Sequence, residues 1–152
     1  MYNYNYFFGT QYDFYSRQPQ APSYIRLLHA SPNAPAVDIF ANGDPVASNL
    51  RYREFTEYIA VPAGSYNIVV FPSGQTVNPI LNTIVNIPGG SILTAAVIGL
   101  LPNINILPIE EPRMAIPSGK LMIRLVHLSP NTPNIDLITQ TGDVEFRNVP
   151  YQ

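Results

Sequence analysis

Two histidines are the side chains best suited to chemistry in this sequence, and each stands at the same place in a repeated motif. His29 is followed by Ser31 and Asp38, so the residue types of a Ser-His-Asp triad for nucleophilic catalysis are present. His29 with Asp38, and His127 with Asp136, also offer an imidazole and a carboxylate at nine-residue spacing to a metal ion. The chain has no cysteine and no G-x-S-x-G nucleophile elbow. We therefore expect no enzyme activity, no metal site and no cofactor.

A structural role is the preferred interpretation of both histidines. Ile25, Leu27 and His29 alternate with other residues at a period of two, which places them on one face of a β-strand. Ile123, Leu125 and His127 repeat this pattern. We expect each histidine to end its strand, with its ring bonded to the backbone of the Ser-Pro-Asn loop that follows.

Charged residues recur with the histidines. Arg26 and Asp38 in the first copy correspond to Arg124 and Asp136 in the second. We expect each pair to form a cross-strand ion pair, worth up to about 1 kcal/mol if exposed. Their recurrence favours a structural over a catalytic role. The nearest paired carboxylates, interpreted as solvated loop or linker charges, are Glu110 with Glu111 and Glu54 with Glu57.

The overall charge excludes several classes of partner. Charged residues make up 12% of the 152 residues and the net charge is -2, with seven scattered arginines and one lysine. This balance gives no attraction for nucleic acid or acidic membranes. No stretch of about 20 apolar residues is free of Pro and Asn, so we expect no membrane insertion. Residues 1–8 lack the basic and apolar regions of a signal peptide.

Short strands joined by turns are the elements that must position these residues. The chain has 16 Pro and 9 Gly among repeated Val, Ile, Tyr and Thr. Asn42-Gly43 between two apolar runs predicts a β-hairpin. Eight strands in residues 23–109 predict an immunoglobulin-like β-sandwich in an all-β protein. Their expected positions are 24–29, 36–41, 46–50, 55–61, 66–71, 80–87, 92–98 and 104–109.

A second, partial copy of this domain follows a linker at residues 110–119. Ile25–Ile39 and Ile123–Leu137 are identical at nine of fifteen positions at a fixed offset of 98. The similarity between the two copies continues to the last residue, whereas the first copy extends for over fifty residues beyond the corresponding point. Residues 120–152 supply about three strands, too few to bury a core alone. We expect this truncated repeat to pack on the first domain or to borrow strands from another chain.

The repeated phrase resembles a known family. Ile25–Ile39, followed by Asn42-Gly43, Phe55-Thr-Glu-Tyr-Ile and Val61-Pro-Ala-Gly-Ser-Tyr, is similar to the bacterial domain-of-unknown-function family 4397 over residues 24–152. The two-copy arrangement resembles that of clostridial members, although this second copy stops partway. The resemblance implies β-sandwich repeats in surface or envelope proteins, with no established activity and no catalytic residues. We therefore expect a location on the bacterial cell or spore surface.

Two features predict self-assembly. Residues 1–22 form a Tyr-rich arm in which Tyr2, Tyr4 and Tyr6 alternate with Asn, so that their rings share one face of a strand. Phe7 and Phe8 continue the aromatic run, and all five are candidate interface anchors. The fifty-two positions from Tyr58 to Ile109 carry no charge, although exposed sheets normally use charge to prevent association. Alternatives are a well-buried domain with neutral loops and an arm used for non-specific adhesion or tyrosine cross-linking.

The sequence thus predicts a non-catalytic structural subunit that forms homo-oligomers or filaments, as in a bacterial surface filament or spore-envelope layer. Residues 1–15 of the arm act as a donor strand that docks on a neighbour, and residues 120–152 supply part of the acceptor. The alternative is a monomeric surface module that binds carbohydrate or peptide, favoured by a planar cluster of Tyr52, Tyr58 and Tyr66.

Overall fold

The computed structural model describes residues 21–152, and all regular structure in them is β. No helix in this part of the chain is long and apolar enough to cross a membrane. All eight predicted strands of the first domain are confirmed, although β4 is shorter than predicted and Phe55 forms only an isolated bridge with Leu28. The strands are β1 (Ser23–His29), β2 (Val37–Ala41), β3 (Asp44–Leu50), β4 (Ile59–Val61), β5 (Gly64–Pro72), β6 (Leu81–Ile87), β7 (Ile92–Leu100), β8 (Asn103–Glu110), β9 (Ile135–Ile138) and β10 (Val144–Val149).

The first eight strands form a sandwich of two four-stranded sheets. The first sheet has the order β4-β1-β7-β8 and the second has the order β3-β2-β5-β6. β1 and β7 run parallel, and the other neighbouring pairs are antiparallel. In an antibody constant domain the first two strands share a sheet, whereas here β1 and β2 lie in different sheets.

Alternating side chains from both sheets make the core. Ile25 and Leu27 of β1 face Ile39 of β2 and Val70 of β5, and none of these is more than 6% exposed. The period of two follows from strand geometry, in which successive side chains point to opposite faces. Burial of side chains in this core therefore explains part of the absence of charge from Tyr58 to Ile109.

The β2–β3 hairpin turns at the predicted Asn42-Gly43. Both residues have positive φ angles, 52° and 91°, as a two-residue type I′ turn requires. Asn42 also receives a hydrogen bond from the backbone N–H of Asn67 on β5 (2.8 Å), which ties the turn to its sheet.

The second copy builds only part of this architecture. β9 and β10 form a two-stranded sheet that corresponds to the β2–β3 hairpin. Residues 121–127, which correspond to β1, form no strand. In the first domain β1 is held between β4 and β7, and residues 120–152 contain no counterpart of either strand.

Residues of the second copy lie beside the outer face of the first sheet. Thr94, Ala96 and Ile98 of β7 point away from the core, yet they are only 4%, 0% and 1% exposed. Clefts with this face are lined by Met122, residues 124–126, Leu128, Pro130 and Asn131. Part of the second copy therefore packs on its own subunit, as one of the two predicted arrangements requires.

Candidate assembly surfaces

The histidine of the first motif joins β1 to the loop that follows it. His29 is fully buried, its Nε2 lies 2.9 Å from the carbonyl oxygen of Pro35, and its Nδ1 accepts a hydrogen bond from the backbone N–H of Ser31 (3.3 Å). Because Nδ1 accepts, Nε2 carries the proton and donates to Pro35. The predicted bonding of the ring to the loop backbone is confirmed.

The second copy repeats this arrangement nearly atom for atom. His127 Nε2 lies 3.2 Å from the Pro133 carbonyl oxygen, and Nδ1 accepts from Ser129 at 3.3 Å. Tyr151 packs edge-on against His127 at a ring distance of 6.0 Å, as Tyr52 packs against His29 at 6.1 Å. The motif therefore folds its loop locally, without the complete sandwich around it.

The side chains of the candidate triad are engaged separately. Ser31 Oγ donates to the Gly99 carbonyl oxygen (2.8 Å), and both ring nitrogens of His29 are bonded to backbone groups. Asp38 lies in the other sheet, where it accepts hydrogen bonds from Asn49 of β3 and from Gly74 in the loop after β5. Among the residues that the structure describes, no group of three or more His, Cys, Asp or Glu side chains could hold a metal ion.

The predicted ion pair between Arg26 and Asp38 is wrong, because β1 and β2 belong to different sheets. Arg26 instead pairs with Glu111, with Nη2 3.0 Å from Oε1, and its Nε donates to Thr94 Oγ1 (2.9 Å). Its guanidinium lies 4.8 Å from the ring centre of Phe55 and 5.0 Å from that of Tyr58. Two cation–π contacts and an ion pair therefore fix one arginine on the outer face of the first sheet.

Glu111 is a residue whose role the sequence does not reveal. Its Oε1 accepts hydrogen bonds from Tyr58 Oη (2.6 Å) and Thr94 Oγ1 (2.8 Å) as well as from Arg26. Burial alone raises the pKa of Glu111, but the bonds from Tyr58 and Thr94 and the charge of Arg26 outweigh it and lower the pKa. Burial and the bond to Glu111 raise the pKa of Tyr58. The interpretation of Glu111 as a solvated linker charge is wrong, since its carboxylate accepts hydrogen bonds from three side chains, one of them 85 residues away in the chain.

Asp38 organises the loops at one end of the second sheet. Its Oδ1 accepts from the backbone N–H of Asn49 (2.7 Å) and from Ser73 Oγ (3.1 Å), and its Oδ2 accepts from the N–H of Gly74 (2.8 Å). The bonds from Asn49 and Gly74 lower the pKa of Asp38 against the opposing effect of burial. Asp38 is thus a loop anchor and not an ion-pair partner.

Asp136 and Arg124 repeat only part of the first-copy contacts. Asp136 Oδ1 accepts from the backbone N–H of Asn148 (2.6 Å), the counterpart of Asn49, and no second donor to Asp136 lies among residues 21–152. Arg124 donates to the Glu110 carbonyl oxygen. The second predicted ion pair, between Arg124 and Asp136, is therefore also wrong.

The apolar side of the second copy is exposed where its counterpart in the first domain is core. Ile123 is 58% exposed and its counterpart Ile25 is 6% exposed. Leu137 is 37% exposed, whereas its counterpart Ile39 is fully buried. Apolar side chains at equivalent positions therefore lack in the second copy the covering layer that they have in the first domain.

The four edges of the sandwich differ in how they are protected from strand addition. β3 carries Asp44 and Pro45, β4 is three residues long, and β8 carries Pro108. β6 has seven residues with neither a charge nor a proline, and Ile84 in its middle is 69% exposed. The uncharged segment noted in the sequence therefore includes one edge strand without the usual protection.

A cleft of about 550 Å³ lies between the first sheet and the second copy. Arg26 and Phe55 line one side of it, and Met122 and Arg124 line the other. Tyr52, Tyr58 and Tyr66 do not form one planar cluster: Tyr52 packs on His29, Tyr58 binds Glu111, and the Tyr66 hydroxyl donates to the Pro62 carbonyl oxygen. The predicted anchors Tyr2, Tyr4, Tyr6, Phe7 and Phe8 lie outside the described residues.

Comparison with known proteins supports the resemblance seen in the repeated phrase. The model of a family described as a domain of unknown function, DUF4397, matches residues 23–138. A search of curated proteins gives no match. The chain therefore belongs to the DUF4397 family.

Proposed function

Because the chain belongs to a family that carries no assigned activity, we propose its function from its geometry: a non-catalytic, self-assembling structural subunit of a bacterial surface filament or spore-envelope layer. Subunits are joined when the N-terminal strand of one adds to another. The observation that carries this proposal is the difference between Ile25, 6% exposed, and Ile123, 58% exposed, at equivalent places in two copies of one motif. Apolar side chains of this size gain about 1.5–3 kcal/mol each when fully buried.

The surface of the sandwich supports the same proposal. Between Tyr58 and Ile109 there is no charge to keep neighbouring molecules apart. Val77 and Ile84 in this segment are 66% and 69% exposed. A neutral surface with exposed branched side chains is suited to contact with other copies of the chain.

Strand addition matches the sequence of the arm. The main-chain hydrogen bonds of an added strand provide affinity, and pockets for alternate side chains provide register. Tyr2, Tyr4 and Tyr6 supply such alternate side chains. A donor at the start of the chain and an acceptor elsewhere form a heterologous contact, which gives an open filament when repeated in one direction.

Deletion of residues 1–15 tests the proposal. We expect the full chain to form polymers that sediment and are visible by negative-stain imaging, and the shortened chain to give soluble, β-rich subunits. A matched pair of full-length variants separates ring contacts from chain length. Replacement of Tyr2, Tyr4 and Tyr6 by Ser should reduce assembly strongly, whereas replacement of Asn3 and Asn5 by Ser should not. Polymers that persist unchanged after the deletion would contradict the donor role of the arm.

The second candidate is a monomeric surface module that binds carbohydrate or peptide. It is supported by the cleft of about 550 Å³, which combines arginine, aromatic and apolar side chains. A stable species near 16.9 kDa for the full chain in solution, with no polymer at high concentration, would favour this function over assembly.

A further inference from the structure

We propose that the acceptor site is the outer edge of β9, and that residues 4–8 of a second copy of the chain dock there in the place that β5 takes on β2. This inference rests on the proposed function, since it names the contact through which subunits join. The first domain serves as the template for the completed site.

The open edge of β9 corresponds to an edge that is paired in the first domain. In the first domain β2 lies between β3 and β5, and Ile39 and Phe40 stand opposite Val70 and Val69 of β5. In the second copy β9 pairs with β10, the counterpart of β3, and no strand among residues 21–152 pairs with its other edge. One counterpart of β5 would restore the order of the second sheet.

Asp136 at this edge accepts fewer hydrogen bonds than its counterpart Asp38. Asp38 accepts three hydrogen bonds, of which those from Ser73 and Gly74 come from the loop directly after β5. Asp136, its counterpart, has the bond from Asn148 and no donor that corresponds to Ser73 or Gly74 in the described part of the chain. The groups missing at Asp136 are those that arrive with a β5 strand.

Part of the arm is similar in sequence to the middle of β5. The middle of β5 reads Tyr66-Asn67-Ile68-Val69-Val70, and the core-facing side chains of this stretch are Tyr66, Ile68 and Val70. Residues 4–8 read Tyr-Asn-Tyr-Phe-Phe, with the same first two residues and an apolar or aromatic residue at each of the next three. In this alignment Tyr4, Tyr6 and Phe8 take the core-facing places, which is the face that alternation gives them.

The alignment fixes a register. Phe8 stands opposite Leu137 on the inner face, as Val70 stands opposite Ile39, and Phe7 stands opposite Ile138 on the outer face, as Val69 stands opposite Phe40. Leu137 and Ile138 are 37% and 53% exposed in the isolated subunit. Residues 10–12 then follow the docked strand near Asp136, where Ser73 and Gly74 follow β5.

Disulfide trapping tests this register, because the chain has no cysteine of its own. Directly opposed residues of antiparallel strands have Cβ atoms about 4.5–5.5 Å apart, close to the distance that a disulfide needs. Full-length Phe7→Cys and full-length Ile138→Cys are mixed and oxidised, and peptide mass spectrometry identifies the mixed disulfide. We expect it to form at least tenfold faster with Ile138→Cys than with Leu137→Cys, whose side chain points to the other face.

Two controls define the outcomes. Ile84→Cys places a thiol at an exposed residue of the other open edge, β6, and equal or faster trapping there would overturn the β9 site. The double variant Phe7→Cys/Ile138→Cys should give a ladder of cross-linked chains; a cross-linked monomer would overturn docking between copies.

Sedimentation of the same samples separates the proposed acceptor site from the proposed function. Polymers without the Phe7–Ile138 disulfide overturn the site alone, and absence of polymers from the unmodified chain overturns the proposed function as well.

Discussion

The two copies of the motif allow a matched test of the incomplete core: truncation of the same position to alanine in each copy. Ile39 is fully buried in the sandwich, and Leu137 is its 37% exposed counterpart on β9. Ile→Ala at a fully buried site costs about 2–5 kcal/mol, because the lost burial is added to a cavity. A partly exposed side chain without a packed layer over it should cost about 1 kcal/mol or less.

The measurement is thermal and urea unfolding of both variants in the chain that lacks residues 1–15, where the proposed contact between subunits cannot form. In a domain of this size 1 kcal/mol corresponds to roughly 2–4 °C in Tm. We therefore expect a loss of roughly 6–12 °C for Ile39→Ala, at about 3 kcal/mol, and of roughly 4 °C or less for Leu137→Ala. Far-UV circular dichroism follows both transitions, since the signal is β-sheet in either copy.

In assembly of the full chain we expect the opposite ranking, with a larger effect for Leu137→Ala than for Ile39→Ala. If a docked strand buries Leu137, its truncation removes about 1–2 kcal/mol from each contact and raises the critical concentration for polymers by about tenfold. Ile39→Ala should leave the critical concentration near that of the unmodified chain at temperatures where the sandwich stays folded. Equal destabilisation of the shortened chain by both substitutions would show that the second copy is already covered within its own subunit, and the reasoning from exposure would be refuted.

Two further predictions concern stability and pH. Asp38 has a lowered pKa in the folded state. Its contribution to the free energy of unfolding is therefore present above the unfolded pKa of about 3.9 and is lost as pH falls through the folded pKa. Asp38→Asn should lower the free energy of unfolding by about 1–3 kcal/mol at pH 7 and flatten the acid limb of a stability–pH profile. Tyr58 has a raised pKa, so stability should decline as pH rises above about 10. Tyr58→Phe should remove that decline and cost about 1 kcal/mol at pH 7 through the lost bond to Glu111, as urea unfolding at pH 7 and pH 10.5 would show.

Local features of the fold are predicted well from the sequence. The eight strands of the first domain follow from alternation and from Pro and Gly between them, and the turn at Asn42-Gly43 follows from the positive φ angles that these residues tolerate. The contacts of His29 and His127 are also predicted, because both partners of each ring lie within six residues of it. Short sequence separation leaves few alternative arrangements for these groups.

Contacts between distant segments are not predicted. The predicted pairing of Arg26 with Asp38 is wrong because the sheet to which each strand belongs decides the pairing, and the alternation pattern does not contain that information. Arg26 instead contacts Glu111, Thr94 and Tyr58, which are 85, 68 and 32 positions further along the chain. Nothing in the local sequence of Glu111 distinguishes a bound carboxylate from a solvated one.

The two copies of one motif also separate what the motif encodes from what its surroundings supply. The histidine loop and the hairpin form in both copies. So does the hydrogen bond that a backbone N–H donates to the aspartate, from Asn49 to Asp38 and from Asn148 to Asp136. Residues 121–127 nevertheless form no strand, although Ile123-Arg-Leu repeats Ile25-Arg-Leu of β1. β1 is a strand because β4 and β7 accept and donate its backbone hydrogen bonds, and strand conformation without such partners leaves backbone groups to water alone. Under the proposed function, an added strand supplies from another molecule part of what the rest of the sandwich supplies to the first copy.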